Sequence, residues 1–420
     1  MLLLSAAISR VESILETIRF LQGSEFPYND SKGALDKIEM LFKDKLNRLE
    51  SLPPGADPDY VKLQCATSLN ACFGYLPLLG FILRSTNVRN AFELFGPLLE
   101  ISGAALEPGV EKSQRKTQLL LSSEWNYSPI TYHEIPDLPS FVLIGFPASE
   151  SSNPLLVPLS GHELGHSMWA AKKMEVQFRP TIQQAIIDYI NKHWQDYHSS
   201  FPNINDPSKL TTDLFARETW LRALNWAVQQ AKESFCDFIG IRIYGPSFLK
   251  AFAYLFAPNV HSPRSESYPQ SMKRVCNLIK AAEAYGFNVP ADYEGMFKAR
   301  PEPQLAPADG YRLRVADEVL ANVVDGLIAK ADDLISETDI QKPDPLEVKR
   351  IHKQLGLMVP AQHCKSLSNI LNAAWRAYED KNLWKSIMEE PGRQKEQILK
   401  DLILKNIEIF EVEQILENRQ

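Results

Sequence analysis

The chain has 420 residues, which is long enough for a large hydrophobic core and favours two or three domains over a small disulfide-stapled module. Hydrophobic residues make up 45% and charged residues 23%, a composition that excludes an intrinsically disordered chain. The net charge of -7 gives no reason to expect a nucleic-acid partner, because binding to a phosphate backbone depends on clustered Lys and Arg.

The cysteines and the N-terminus indicate the compartment. The five cysteines are odd in number, scattered and without a CxxC pair, which indicates a reducing environment rather than a disulfide framework. The N-terminal apolar run has no basic segment before it and no small-residue cleavage site after it. Its apolar residues recur at helical spacing, as at Leu4, Ile8 and Val11. We therefore expect a soluble, cytoplasmic protein that begins with an amphipathic helix.

Residues 1–112 are predicted to form an N-terminal helical region, with amphipathic runs at 5–22, 32–50 and 58–87. The last run contains an uncharged stretch, residues 63–83, that is long enough to cross a bilayer. Its polar residues and its proline would be poorly tolerated in lipid. We therefore expect a buried helix or helical hairpin here and no membrane span.

Residues 113–300 are predicted to form a central core, and strand signals cluster at its start. Between residues 116 and 148, three short segments are rich in β-branched and aromatic residues: QLLLSS, ITYHEI and SFVLIGF. Helices are predicted after them at about 155–173, 180–197 and 271–286, and residues 211–245 are predicted to form one long helix or two abutting ones. The segment ARPEPQLAPADG is the best linker candidate, and it leads into a C-terminal helical region, residues 301–420. The predicted fold class is mainly α with a small β-sheet.

The segment PLLVPLSGHELGHSMWAAKK contains the pattern HExxH, in which His162 and His166 stand four residues apart. On a helix this spacing brings both imidazoles to one side, one turn apart, so that both can reach a single metal ion. Glu163 lies beside the metal rather than on it, where it can accept a proton from water. About 0.01 chance matches to HExxH are expected in such a chain. The pattern therefore indicates a zinc-dependent hydrolase, and Gly161 and Gly165 allow neighbouring elements to pack closely.

A catalytic zinc site needs a third protein ligand and leaves the fourth position to water. Trp169 and Lys172 occupy the places of the Gly and the third His of the metzincin pattern, and no Glu occurs at the thermolysin spacing. The downstream segment KESFCDFIG offers a better candidate. There Glu233 can be the third ligand, and Asp237, four residues later on the same helical face, can orient a metal-bound histidine.

With HELGH and KESFCDFIG, residues 155–275 resemble the gluzincin metallopeptidases, most nearly the group of the CAAX prenyl proteases and their soluble bacterial relatives. The resemblance implies a zincin-like catalytic core, Zn²⁺, a peptide or protein substrate, Glu163 as general base and Asp237 as orienting residue. It also implies that the strand at 140–147 is an edge strand along which an extended peptide is laid. The metal ligands that it implies are His162, His166 and Glu233.

Hydrolysis also needs a hydrogen-bond donor for the oxyanion that develops on the substrate. Gluzincin relatives often carry a His-Pro segment with a later Arg after the third ligand. Here the loop VHSPRSESYPQSMKRV offers His261, Pro263, Tyr268 and Arg274 at altered spacing. Both His261 and Tyr268 are therefore candidates for the catalytic donor.

Two other functions stay open at this stage. One is a zinc-binding protein without proteolytic activity, in which the helical flanks bind partners. The other is an HExxH hydrolase that acts on a non-peptide amide. Nothing in the sequence pattern favours a particular oligomeric state.

Overall fold

The computed structural model describes residues 2–87, 91–124, 140–257, 263–385 and 393–417. The chain is mainly α-helical with one small β-sheet, so the predicted fold class is confirmed. Contacts between residues divide it into two compact units, whose boundaries differ from those of the three regions predicted from the sequence. Unit 1 consists of Met1–Phe92 and Gln118–Ser152, and unit 2 of Glu93–Thr117 and Asn153–Gln420.

Unit 1 combines four helices with two parallel strands. Its elements are α1 (Leu2–Gln22), α2 (Asn29–Glu50), α3 (Pro58–Gly74), α4 (Leu76–Asn87), β1 (Gln118–Glu124) and β2 (Phe141–Pro147). The strands pair in register from Gln118 opposite Phe141 to Glu124 opposite Pro147. In the first turn of α2, the carboxylate of Asp30 accepts a hydrogen bond from the Leu119 N–H of β1. The predicted strand segment ITYHEI lies outside the described residues.

The uncharged stretch of unit 1 forms two consecutive helices, α3 and α4. Their core side carries Cys65, Cys72, Phe81 and Ile82, all buried within unit 1. By length and composition, Pro58–Arg84 is apolar enough to cross a membrane, with a mean hydropathy of 1.5, and 39% of its most apolar window is buried. Core helices of soluble proteins can be equally long and apolar, so this finding does not decide between a core helix and a membrane span. The expected absence of a membrane span stays a prediction.

Unit 2 is built from helices. They are α5 (Phe95–Leu106), α6 (Ser160–Ala171), α7 (Met174–Lys192), α8 (Trp194–Ser200), α9 (Leu214–Tyr244), α10 (Pro246–Phe256), α11 (Ser271–Ala284), α12 (Pro307–Ser336), α13 (Pro345–Gly356), α14 (Leu367–Glu379) and α15 (Arg393–Glu417). Short 3-10 helices add to the two units at Phe92–Leu94, Lys112–Gln114, Ala148–Glu150, Pro154–Leu159, Pro207–Lys209 and Glu294–Met296.

The helix boundaries in unit 2 follow local chemistry. The helix predicted from residue 155 starts as a buried 3-10 helix that contains Pro158, and regular α-helix begins only at Ser160. Proline lacks the N–H that an α-helical hydrogen bond requires, which explains the later start. The segment around 211–245 forms a single helix, α9, whose first turn is capped by the Asp213 carboxylate.

Helices α6 and α9 approach each other to backbone contact. A Cβ atom added at Gly165 would lie 2.5 Å from the Cα atom of Cys236, and one added at Gly161 would lie 2.7 Å from the Cα atom of Gly240. At the start of α6, the Ser160 hydroxyl lies 3.0 Å from the hydroxyl of Tyr244. This is the close packing expected of the two glycines, and it places HELGH directly against the helix that carries KESFCDFIG.

We expect Gly165→Ala to separate α6 from α9 and to destabilise the protein by about 1–3 kcal/mol, because the new methyl group overlaps the Cys236 backbone. Urea denaturation measures this change. Gly310→Ala in α12 is the matched control, because no atom lies within 4 Å of its added Cβ. Equal stability of the Gly165→Ala and Gly310→Ala variants would contradict the backbone contact.

Candidate metal centre

Two helices supply three potential metal ligands that converge in the buried interior of unit 2. His162 and His166 come from α6 and Glu233 from α9, and all three are buried. The Nε2 atoms of the two histidines lie 3.2 Å apart. From Glu233, Oε2 lies 3.3 Å from His162 Nε2, and Oε1 lies 3.9 Å from His166 Nε2. The structure therefore brings together the three ligands predicted from the sequence.

These separations fit one small divalent cation. A tetrahedral zinc ion with bonds of about 2.0–2.1 Å holds its ligand atoms roughly 3.3 Å apart. The two imidazole planes are nearly perpendicular, at 82°. Glu233 Oε2 is buried and makes no hydrogen bond within the described part of the chain, although His162 Nε2 is close to it. The donor set and its geometry therefore suit zinc.

Asp237 fixes the orientation of one histidine. Its Oδ1 atom lies 2.8 Å from His162 Nδ1. Because the carboxylate accepts a hydrogen bond from Nδ1–H, the Nε2 lone pair of His162 is left to face the metal position. Asp237 thus lies where the sequence predicted the orienting residue.

Arg274, in the first turn of α11, holds the other side of Asp237. Its Nε and Nη2 atoms donate to Asp237 Oδ2 and Oδ1 at 2.7 and 2.9 Å. Burial by itself would raise the pKa of Asp237, but the charge and hydrogen bonds of Arg274, together with those of His162, lower it below the ordinary value. Asp237 is therefore held ionised, which is the form that accepts a hydrogen bond from the Nδ1–H group of His162.

Glu163 is buried next to the ligands. Its Oε1 atom has no hydrogen-bond partner among the described residues. Burial raises the pKa of Glu163 to about 8; the charge of His162 opposes this rise, and those of Glu233 and Asp237 add to it. A carboxyl group with a pKa near neutrality can both accept and return a proton at cellular pH.

The structure places one of the two candidate donors beside Arg274, the residue that contacts Asp237. Tyr268 lies in the loop before α11, with its ring 5.0 Å from the Arg274 guanidinium. Burial raises the pKa of Tyr268, the charge of Glu233 raises it further, and the charge of Arg274 opposes this rise. The other candidate, His261, lies outside the described residues.

No family model, curated protein or solved structure matches this chain. The resemblance of HELGH and KESFCDFIG to the gluzincins therefore remains a prediction, and the geometry of the site carries the functional argument. The peptide-binding role expected of β2 is also a prediction. In the described residues β2 pairs with β1 alone, so one of its edges is open.

Sequence reasoning did not assign three residues around the site. The bidentate contact of Arg274 with Asp237 crosses 37 positions of sequence, and Arg274 was noted only as part of a loop with altered spacing. Gln230 is fully buried one turn before Glu233, and Arg264 is buried in the loop that carries Tyr268. A buried Gln or Arg has no local sequence signature, because its partner lies on a distant element.

We expect Asp237→Asn to lower zinc affinity by about ten- to a hundredfold, because the amide no longer fixes the Nδ1 proton of His162 and the Arg274 charge loses its partner. Competition with a chelator of known affinity measures the loss. Asp332→Asn is the control, since Asp332 pairs with Arg242 between α9 and α12 without contact to a ligand. Unchanged affinity in Asp237→Asn would remove Asp237 from the site.

Zinc affinity should rise with pH. Burial alone would lower the pKa of His162, but its contacts with Asp237 and Glu233 outweigh burial and raise the pKa to about 10 in the metal-free protein. At neutral pH a metal ion must therefore displace a proton from His162, so affinity should increase about tenfold per pH unit between about pH 6 and pH 8. Chelator competition at several pH values tests this, and an affinity independent of pH would show that His162 is already neutral.

Proposed function

We propose that this protein is a zinc-dependent metallopeptidase of the gluzincin type. The observation that carries the proposal is the convergence of three donor atoms, from His162, His166 and Glu233, at separations that suit tetrahedral zinc. A buried carboxylic acid, Glu163, follows the first ligand directly. A site with only three protein ligands leaves one position for water or substrate, which distinguishes catalytic from structural zinc sites.

Glu163 carries the proton transfers in this proposal. Zinc held by the three ligands would lower the pKa of a water molecule and polarise a substrate carbonyl. The pKa of about 8 belongs to the metal-free protein, and the charge of a bound dication would favour the carboxylate form of Glu163. In that form Glu163 would accept the proton of the attacking water and then return it to the nitrogen of the leaving amine. His162 is held in the correct tautomer by Asp237 throughout.

Tyr268 is the donor that we assign to the developing oxyanion. Its raised pKa keeps the phenol protonated at neutral pH, so that it can donate a hydrogen bond. The charge on the substrate oxygen grows as water attacks, and a donor already in place stabilises that charge more than it stabilises the uncharged carbonyl.

The substrate class and the compartment rest on sequence features. A peptide or protein substrate follows from the resemblance of HELGH and KESFCDFIG to gluzincin motifs. A cytoplasmic location is supported by the five cysteines, all of which are free thiols in the structure and four of which are buried. No feature of the described residues favours nucleic acid as a partner.

We expect Glu163→Gln to keep its zinc and to lose peptidase activity by about 10²–10⁴-fold, because the amide fills the same space but accepts no proton. Digestion of a broad peptide library, with zinc content measured on the same sample, provides the test. Glu175→Gln is the control, since Glu175 lies on α7 in an exposed ion pair with Arg179. Full activity in Glu163→Gln would refute the assignment of the general base.

The same experiment separates the two rival functions. A non-proteolytic zinc protein would be favoured by two results together: the wild type cleaves no library peptide, and the His162→Ala variant loses the zinc that the wild type binds. Cleavage of small non-peptide amides, but not of peptides, would favour the second rival. Peptide cleavage that requires both His162 and Glu163 supports a metallopeptidase.

A further inference from the structure

Arg264 is almost entirely buried in the loop before α11, with 2% of its side chain exposed. Its Nη1 and Nη2 atoms donate to Asp317 Oδ2 and Oδ1 of α12 at 2.7 and 2.9 Å. A planar guanidinium that binds a carboxylate with two parallel hydrogen bonds fixes the orientation as well as the distance of the partner. The Arg264 N–H also donates to the Pro301 carbonyl at 3.3 Å. Arg264 thus anchors the loop to the C-terminal part of unit 2.

The anchored loop, residues 263–270, is the part of the chain that carries Tyr268; we call it the Tyr268 segment. It has no regular helix or strand, so few backbone hydrogen bonds hold it in place. Within it, the Tyr268 N–H donates to the Ser265 carbonyl at 3.3 Å. On the side of α9, the fully buried Gln230 donates from Nε2 to the Glu266 carbonyl at 3.3 Å.

The two anchors of the Tyr268 segment lie on different helices. Gln230 belongs to α9, one turn before the ligand Glu233, whereas Asp317 belongs to α12 and contacts none of the ligands. The Tyr268 ring itself packs against the Arg274 guanidinium of α11. A ring held on an irregular segment keeps its position only if the segment is fixed at several points.

We propose that the buried ion pair between Arg264 and Asp317 holds the Tyr268 segment against the metal centre and thereby positions Tyr268 for catalysis. Arg264 and Asp317 are positioning residues, because they act through Tyr268 and touch none of the ligands. The inference rests on the proposed function, in which Tyr268 stabilises the oxyanion. In this proposal α12, which the sequence predicted only as part of a helical flank, contributes to the arrangement of the active site.

The test compares Asp317→Asn in two backgrounds. In the wild-type background we expect kcat to fall about ten- to a hundredfold with little change in KM, since a displaced donor weakens the transition state more than substrate binding. In the Tyr268→Phe background the same substitution should change kcat less than about twofold, because the group that it positions is already absent. Equal losses of kcat in both backgrounds would overturn the proposal.

Two further variants control for stability. Asp317→Asn leaves the buried Arg264 charge with only the more distant carboxylate of Glu302, 3.8 Å from its Nε atom, and can unfold the protein. The double variant Arg264→Met with Asp317→Leu removes both charges and should fold, yet it should show the same loss of kcat. Glu318→Gln breaks the neighbouring exposed ion pair between Lys273 of α11 and Glu318 of α12, and it should leave kcat unchanged. A comparable loss in Glu318→Gln would assign the effect to general packing of these helices.

Hydrogen exchange followed by mass spectrometry tests the anchoring without any activity. In the zinc-free and the zinc-loaded full-length protein, both Asp317 variants should increase exchange of residues 263–270, while exchange in α6 and zinc affinity stay unchanged. Unaltered exchange of residues 263–270 would overturn the anchoring even if kcat falls. Because this readout needs no substrate, it decides the role of the ion pair even if Glu163→Gln refutes the peptidase proposal.

Discussion

The close crossing of α6 and α9 is the constraint on which the site depends. Side chains at the contact would hold the two helix axes about 8–10 Å apart, whereas glycine lets the backbones meet. Gly161 and Gly165 remove the side chains on α6, so that the α6 backbone reaches the Cα atoms of Gly240 and Cys236 on α9. At this short distance the Nε2 atoms of the two histidines on one helix lie 3.3 and 3.9 Å from the carboxylate oxygens of Glu233 on the other. The clustering of the three potential ligands is thus a consequence of helix packing.

The interior charges around this crossing are mutually compensated. Three carboxyl groups, Glu163, Glu233 and Asp237, are buried together, an arrangement that would be unfavourable without opposing charge. Arg274 neutralises Asp237, and the histidines face Glu233. A bound dication would add the remaining positive charge. If the proposed zinc is bound, its charge and that of Arg274 balance the three carboxylates with both histidines neutral.

The sequence predicted those features that depend on local spacing. The periodicity of apolar residues located most helices, and the four-residue spacing in HELGH and in KESFCDFIG brought four of the site residues to the correct helix faces. The packing of α11 and α12 beside the site depends on contacts between residues tens of positions apart, such as Arg274 with Asp237. No periodic pattern records such pairs, which is why the loop containing Tyr268 was recognised but its supports were not.

One carboxylate oxygen of Asp237 accepts two hydrogen bonds, and this affects the charge that a bound metal ion would keep. Oδ1 accepts from His162 Nδ1 and from Arg274 Nη2 at the same time, so it is a weak base. The Nδ1 proton would therefore stay on the ring, and His162 would coordinate the proposed zinc as neutral imidazole rather than as imidazolate. Two neutral rings and one carboxylate cancel only half the charge of a dication. The ion would retain a net charge of about +1 and with it a strong attraction for electron pairs.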